Sequence, residues 1–122
     1  MSGNREVEQP GRLSATVRTV DDVRVVTLQG EIDHTSREVL GQALIPEERA
    51  PAPRVVADLT GVSFMDSSGI NVLITAHRRI GEIGGRLHIA GAGEAVRRVL
   101  TLVGVDTVIP CHPTLEQALL DV

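Results

Sequence analysis

The residues best suited to take part in a reaction are two serines in the run Asp66-Ser67-Ser68-Gly69. They follow an apolar stretch and precede a segment of helical periodicity, which predicts that Ser67 lies at or beside the N-cap of a helix. A serine there often does no more than accept a backbone N–H, which stabilises a helix by about 1 kcal/mol. The same position suits a phosphate, because free N–H groups and the positive end of the helix dipole converge there. These residues alone leave both roles open.

A second acidic residue, Asp33, ends the run Gly30-Glu31-Ile32-Asp33 after a predicted strand that Gly30 closes. We expect it to lie in a loop neighbouring Ser67. An aspartate in such a turn can simply shape the backbone through local hydrogen bonds. Asp66, directly before Ser67, can help to orient that serine. Nothing in the spacing assigns either carboxylate as a catalytic base.

The other residues that could bind a cofactor or a metal, or react, are dispersed along the chain. Cys111 is the single cysteine, so it has no intrachain disulfide partner, and its surroundings resemble no redox motif. Gly91-Ala92-Gly93 lacks the third glycine of a dinucleotide fingerprint. Four histidines fall in different predicted elements with no close-spaced pair: His34, His77, His88 and His112. The sequence therefore predicts no cofactor and no metal.

The composition of the chain limits the classes of protein to which it can belong. A chain of 122 residues with 42% hydrophobic and 23% charged residues is sufficient for one folded domain. Phe64 is the only aromatic residue, so the core must be aliphatic. The chain also lacks the set of aromatic side chains on which nucleic-acid bases stack. The net charge of -4, with no basic run, argues against nucleic-acid binding. No apolar run approaches a membrane span, which together with the single cysteine predicts a cytoplasmic protein that uses no membrane.

Periodicity predicts the elements that must position these residues. Residues 1–12 are polar and contain glycine and proline, which predicts a flexible tail before a domain at residues 13–122. The domain begins with a β-hairpin that turns at Asp21-Asp22. Helices and strands then alternate. The predicted segments are a helix at 35–44 opened by a capping box of Thr35 and Glu38, a central strand at 55–59, a helix at 68–83, a strand at 86–90, a helix at 94–103, a strand at 107–109 and a last helix capped by Thr114.

This order predicts an α/β fold, in which a mixed β-sheet is covered by about four helices. Val55 to Leu59 should be its central strand, because the β-branched run is apolar on both faces. The carboxyl end of that strand leads to Ser67.

At these residues the sequence resembles a known family, the anti-anti-sigma factors, which are stand-alone STAS domains of bacteria. Two motifs carry the resemblance, Gly30-Glu31-Ile32-Asp33 and Phe64-Met65-Asp66-Ser67-Ser68-Gly69, and the similarity extends over nearly the whole domain. It implies a STAS-like single domain. It further implies that Ser67, the first serine after Asp66, accepts a phosphate, with Asp33, Asp66, Ser68 and Gly69 forming the surface that the partner and the kinase recognise.

The resemblance also implies a partner-switching cycle. The unmodified protein would bind an anti-sigma factor that is also a serine kinase, and so release a sigma factor for transcription. Phosphorylation of Ser67 would end the binding, and a PP2C-type phosphatase would restore it. The chain would then be a substrate and a ligand with no catalysis of its own.

Two other classes of function are open at this stage. An enzyme with Ser67 or Ser68 as nucleophile would need a base and an oxyanion hole, and the run lacks the Gly-x-Ser-x-Gly pattern. A STAS subunit that binds constitutively, in a transporter or a stress-signalling assembly, would have no use for a phosphate on Ser67. Labelling of Ser67 by an acyl-group probe would indicate the enzyme, and phosphorylation of Ser67 would distinguish the switch from the constitutive subunit.

Overall fold

The computed structural model describes residues 5–8, 13–45 and 52–122, and in these ranges six strands form one mixed sheet. The strands lie in the sheet in their sequence order. The first three pair antiparallel and the last three continue in parallel from the third. Their bounds are β1 Arg5–Glu8, β2 Leu13–Val20, β3 Val23–Ile32, β4 Arg54–Met65, β5 Arg86–Ala90 and β6 Cys111–His112.

Helices connect the parallel strands, because parallel neighbours cannot be joined by a tight turn. The α-helices in the described ranges are α1 Arg37–Leu44, α2 Ser67–Glu82, α3 Glu94–Leu102 and α4 Leu115–Asp121. Short 3-10 turns occupy His34–Ser36 and Val105–Thr107. The predicted architecture, a hairpin followed by alternating helices and strands, is confirmed.

The sheet has an aliphatic core on each face. The larger core joins α1, α2 and α3 to one face, and α4 packs on the other face over a smaller cluster that contains Val25, Val56 and Ala90. Alternate residues of β4 therefore enter different cores, as Val55 and Val56 do. Both are fully buried, which confirms that Val55 to Leu59 belongs to a central strand covered on both faces.

Three predicted boundaries are wrong. Residues Arg5–Glu8, within the predicted tail, form β1 and pair with β2, whereas residues 1–4 and 9–12 lie outside the described ranges. Gly30 does not end its strand, because β3 passes through irregular pairing at Gly30, whose φ is 114°, and continues to Ile32. The predicted strand at 107–109 is instead a 3-10 turn that runs into the buried Ile109.

The helix starts differ from the sequence prediction in one case and agree in another. Asp33, rather than Thr35, opens the segment before α1, where it forms a capping box with Ser36. Thr114 caps α4 as predicted, since its hydroxyl accepts from the N–H of Gln117 at 3.2 Å. Within the described ranges, no helix combines the length and the apolar character needed to cross a membrane.

Candidate functional site

The two acidic motifs meet at the carboxyl ends of β3 and β4. Ile32 and Met65 are partners in the parallel register, so Asp33 and Asp66 leave the sheet side by side. The backbone N–H of Asp66 donates to the carbonyl of Ile32 at 3.1 Å, which ties the two loops together. The sequence expectation that Asp33 lies in a loop neighbouring the serines is confirmed.

Asp66 is the N-cap of α2. Its backbone is extended, and its carboxylate accepts from the N–H of Ser68 at 2.8 Å. Its carbonyl accepts from the N–H groups of Gly69 and Ile70 at 3.1 and 3.3 Å. The cap that the sequence assigned to the vicinity of Ser67 is therefore supplied by Asp66.

Ser67 is the first residue of the 16-residue helix α2, and its side chain is exposed. Among the described residues, no hydrogen bond involves its hydroxyl. Helix capping thus does not account for Ser67, since the neighbouring aspartate already caps the helix. What remains is an exposed, unengaged hydroxyl at the positive end of a helix dipole.

Gly69 sets how closely α2 approaches the sheet. The residue is buried, and a β-carbon built on it would lie 2.6 Å from Ile32 Cγ2 and 2.8 Å from Met65 Cγ. Only glycine therefore allows the first turn of α2 to rest on the ends of β3 and β4. Ser68, half-buried between Ser67 and Gly69, contributes its N–H to the cap.

Asp33 is buried, and its carboxylate serves the turn in which it lies. It accepts from the N–H of Thr35 at 2.9 Å and from the Thr35 hydroxyl at 2.6 Å. The N–H of Asp33 donates to the Ser36 hydroxyl at 2.9 Å, which in turn donates to the Asp33 carbonyl at 3.0 Å. The turn-shaping role that the sequence left open is therefore present, and it fixes the loop beside Asp66.

The surface around Ser67 includes residues that sequence reasoning did not select. Phe64, which pairs with Glu31 in the register of β3 and β4, is 48% exposed despite being the only aromatic residue. Asn71 and Thr75 are exposed at successive i+4 positions from Ser67 along α2. The i+4 spacing is legible in the sequence, but that this row is solvent-facing depends on how α2 packs.

A shallow groove of about 320 Å³ runs between α1 and α2 next to this row. Arg37 and Arg79 stand among its lining residues, together with the apolar Ile45 and Val72. The groove gives this side of the molecule a positively charged, partly apolar surface that begins one helical turn from Ser67.

The neighbours of the Ser67 hydroxyl bear on whether it could act as a nucleophile. In the described part of the chain, no histidine or carboxylate makes a hydrogen bond with Ser67 Oγ, and an activated nucleophile requires such a base. The site offers an exposed hydroxyl at the start of a capped helix.

Two histidines that are far apart in the sequence meet away from this site. His88 on β5 and His112 on β6 lie side by side, with His88 Nδ1 3.0 Å from His112 Nε2. Sequence spacing gave no signal for this pair, because 24 residues separate the two positions and parallel pairing of β5 with β6 brings them together.

The fold and the site together define a small α/β binding domain that displays a serine at a helix start. Comparison with known proteins identifies it further. The family model for the STAS domain matches residues 14–118, so the chain belongs to the STAS domain family. The family resemblance read from the sequence motifs is thereby confirmed.

Within that family, the relatives at about one-third identity are named antagonists of anti-sigma factors. The chain is 32% identical over 98 residues to an anti-sigma F factor antagonist of Paenibacillus polymyxa, covering 80% of this chain and 84% of that protein. It is 32% identical over 111 residues to the anti-sigma-F factor antagonist RsfB of Mycobacterium tuberculosis, covering 90% of this chain and 89% of that one.

A solved structure agrees with these relatives. The crystal structure of an anti-sigma factor antagonist from Mycobacterium paratuberculosis superposes with a TM-score of 0.79 at 31% identity, covering 93% of this chain and 97% of that chain. The similarity therefore extends over the complete domain of that protein.

Proposed function

We propose that this chain is an anti-sigma factor antagonist, whose unmodified form binds an anti-sigma factor and whose phosphorylation at Ser67 abolishes that binding. The observation that carries the proposal is the exposed hydroxyl of Ser67, which does not cap α2 because Asp66 does. The names of the relatives supply the class of partner.

In this proposal the anti-sigma factor is also the serine kinase, and a PP2C-type phosphatase reverses the modification. The chain itself is a cytoplasmic ligand and substrate without catalytic activity. The absence of any hydrogen-bonded base at Ser67 among the described residues supports this role over that of a nucleophile.

The partner surface consists of Ser67 and the residues that hold or flank it. Asp33, Asp66 and Gly69 fix the two loops, and Ser68 accompanies Ser67 at the start of the helix. Phe64 offers an apolar contact beside them, which suits a binding hot spot because aromatic residues contribute strongly at interface centres. The kinase recognises the same surface as the bound partner.

Charge explains how one phosphate can switch this surface. Phosphoserine adds about -1.5 to -2 charges at pH 7, close to the carboxylate of Asp66 and to any acidic partner group. Two like charges about 4 Å apart repel by about 4 kcal/mol at an effective dielectric of about 20. A loss of about 4 kcal/mol corresponds to roughly a thousandfold in affinity, so no refolding is needed.

The test starts with a pull-down from the source cell, using the Ser67→Ala protein as bait so that a kinase cannot release itself. The captured anti-sigma factor is then incubated with wild-type protein and ATP, and we expect one phosphate, mapped by fragment ions to Ser67. Ser68→Ala serves as the matched control and should still accept the phosphate.

Two results would contradict the proposal. A phosphate found solely on Ser68 would mean that the wrong serine was chosen. Stable binding without any phosphorylation would favour a STAS subunit that binds constitutively.

A further inference from the structure

A second cluster of polar side chains lies away from Ser67, where β5, β6 and α4 meet. His88 Nδ1 faces His112 Nε2 at 3.0 Å, and the two rings are nearly parallel, 18° apart. Asp121 Oδ2 lies 3.8 Å from His112 Nε2, and the three ligand atoms lie within 4.8 Å of one another. Three elements thus each bring one potential ligand atom to the same small cluster.

The cluster is on the α4 face of the sheet. His88 pairs in register with Val56, which belongs to the core under α4, and Ala90 on the same strand belongs to that core too. His88 is 7% exposed, whereas the side chains of His112 and Asp121 are 14% and 70% exposed. The site is therefore anchored in the interior and open to solvent on the side of Asp121.

The donor set is that of a transition-metal centre. Imidazole nitrogens suit Zn²⁺, Cu²⁺, Ni²⁺ and Fe²⁺, whereas a single carboxylate falls short of the oxygen ligands that Ca²⁺ or Mg²⁺ require. Zn–N bonds of about 2.0–2.1 Å in a tetrahedral arrangement place two ligand nitrogens about 3.3 Å apart. The observed 3.0 Å between the histidine nitrogens is close to that spacing.

Burial, and to a lesser degree the neighbouring His112, lowers the pKa of His88 and so disfavours its protonated form. Neutral imidazole is the form that binds a metal. One of the two facing nitrogens donates its proton in the hydrogen bond between the rings, so the donor ring would bind an ion as the tautomer with its proton on the other nitrogen.

We propose that His88, His112 and Asp121 form a binding site for a divalent transition-metal ion, Zn²⁺ above all, with the remaining coordination position open to water. The carboxylate of Asp121, whose Oδ2 lies 3.8 Å from His112 Nε2, would supply the third ligand to an ion held by the two histidines. Bound metal would cross-link β5 and β6 to α4. The proposal is independent of Ser67, which lies at the start of α2 on the opposite face of the sheet.

The experiment is a titration of the untagged, chelator-treated protein with Zn²⁺ in competition with a chromophoric chelator, and with Co²⁺ followed by its visible d–d absorption. We expect one ion per chain and a tetrahedral-type Co²⁺ spectrum. At a Zn²⁺ concentration a hundredfold above Kd, Tm should rise on the order of 10 °C.

Variants locate the ion. His112→Asn and Asp121→Asn should each weaken Zn²⁺ binding at least tenfold, whereas His77→Asn, which alters a histidine outside the cluster, should leave binding unchanged. His88→Asn should abolish binding, and because His88 is buried its melt is recorded in parallel. The two more exposed variants keep the test valid if that one unfolds.

Failure of wild-type protein to bind either ion would overturn the proposal. Equal Zn²⁺ affinity in wild type, His112→Asn and Asp121→Asn would also overturn it, since the ion would then be held elsewhere. Phosphorylation at Ser67, assayed on the same His112→Asn protein, should be unaffected, so failure here is distinguishable from failure of the proposed switch.

Discussion

Two adjacent residues at the start of α2 have separate duties. Asp66 holds the helix by accepting from the N–H of Ser68, and Ser67 presents a hydroxyl that the fold does not use. A modification of Ser67 can therefore change a surface without removing a cap. Because Asp66 caps the helix and Ser67 does not, substitutions at the two positions should differ in their effect on stability.

Ser67→Ala should change the free energy of unfolding by no more than about 0.5 kcal/mol, because no folded-state hydrogen bond is lost. Asp66→Ala, the matched control, should cost about 0.5–2 kcal/mol as a lost N-cap. Thermal and urea melts measure both. A larger loss in the alanine variant of Ser67 than in that of Asp66 would show that Ser67 supports the fold after all.

Ser67→Asp should fold stably, since an acidic residue in the first turn interacts favourably with the helix dipole. It should nevertheless bind the anti-sigma partner more weakly than Ser67→Ala, which keeps full affinity even with kinase and ATP present. Titration of both variants against the partner measures the difference. Full affinity in a folded Ser67→Asp protein would count against an electrostatic switch.

Gly69→Ala should destabilise the protein by about 1–3 kcal/mol, because the added methyl overlaps Ile32 and Met65. The same substitution at Gly81, also in α2, meets no atom within 4 Å and should instead stabilise the helix by up to about 1 kcal/mol. Comparison of the two melts isolates packing from helix propensity. Equal effects of the two substitutions would mean that α2 does not rest on the strand ends as described.

At the scale of elements, β4 positions the site around Ser67. It is paired on both sides by parallel strands, its first half is buried on both faces, and its carboxyl end delivers Asp66 to the surface. The position of the serines therefore depends on the integrity of this strand.

Val56→Asp should abolish cooperative folding, because it places an unpaired charge at a fully buried position under α4. The expected cost of about 4 kcal/mol or more is a large part of the 5–15 kcal/mol typical of a domain. Ser63→Asp, at an exposed position of the same strand, is the control and should melt almost as wild type does. A cooperative melt of Val56→Asp with an unchanged midpoint would contradict the placement.

At the scale of the whole molecule, the sheet separates two regions with different tasks. The helices α1, α2 and α3 cover one face, with Ser67 at its edge, and α4 covers the other with the histidine pair. Because the sheet lies between the two regions, we expect a switch at Ser67 to act locally.

Phosphorylation of Ser67 should accordingly leave the global fold intact while partner affinity falls up to about a thousandfold. Amide hydrogen exchange of the two forms measures this, and we expect changes confined to the first turn of α2 and the loop after β3. Loss of protection throughout β4 and β5 would indicate a refolding mechanism instead.

Local pattern in the sequence determined most of the elements. Alternation and β-branched runs identified the hairpin and the central strand from Val55 to Leu59, and helical periodicity with Gly84-Gly85 located α2 to within a residue or two. These features are legible because burial on one face leaves a repeat of two or of 3.6 residues in the sequence. The motifs around Asp33 and Ser67 indicated the family because the residues of each motif are contiguous in the sequence.

Only the tertiary structure decided which distant residues meet. Parallel pairing of β5 with β6 brings His88 beside His112, and this contact leaves no local trace in the sequence. Packing of the flanking backbone also decided that Asp66 rather than Ser67 caps α2, and that a 3-10 turn at Val105–Thr107 replaces the strand predicted at 107–109. Periodicity encodes which face of an element is buried, whereas contacts between elements are set by strand pairing and close packing across the chain.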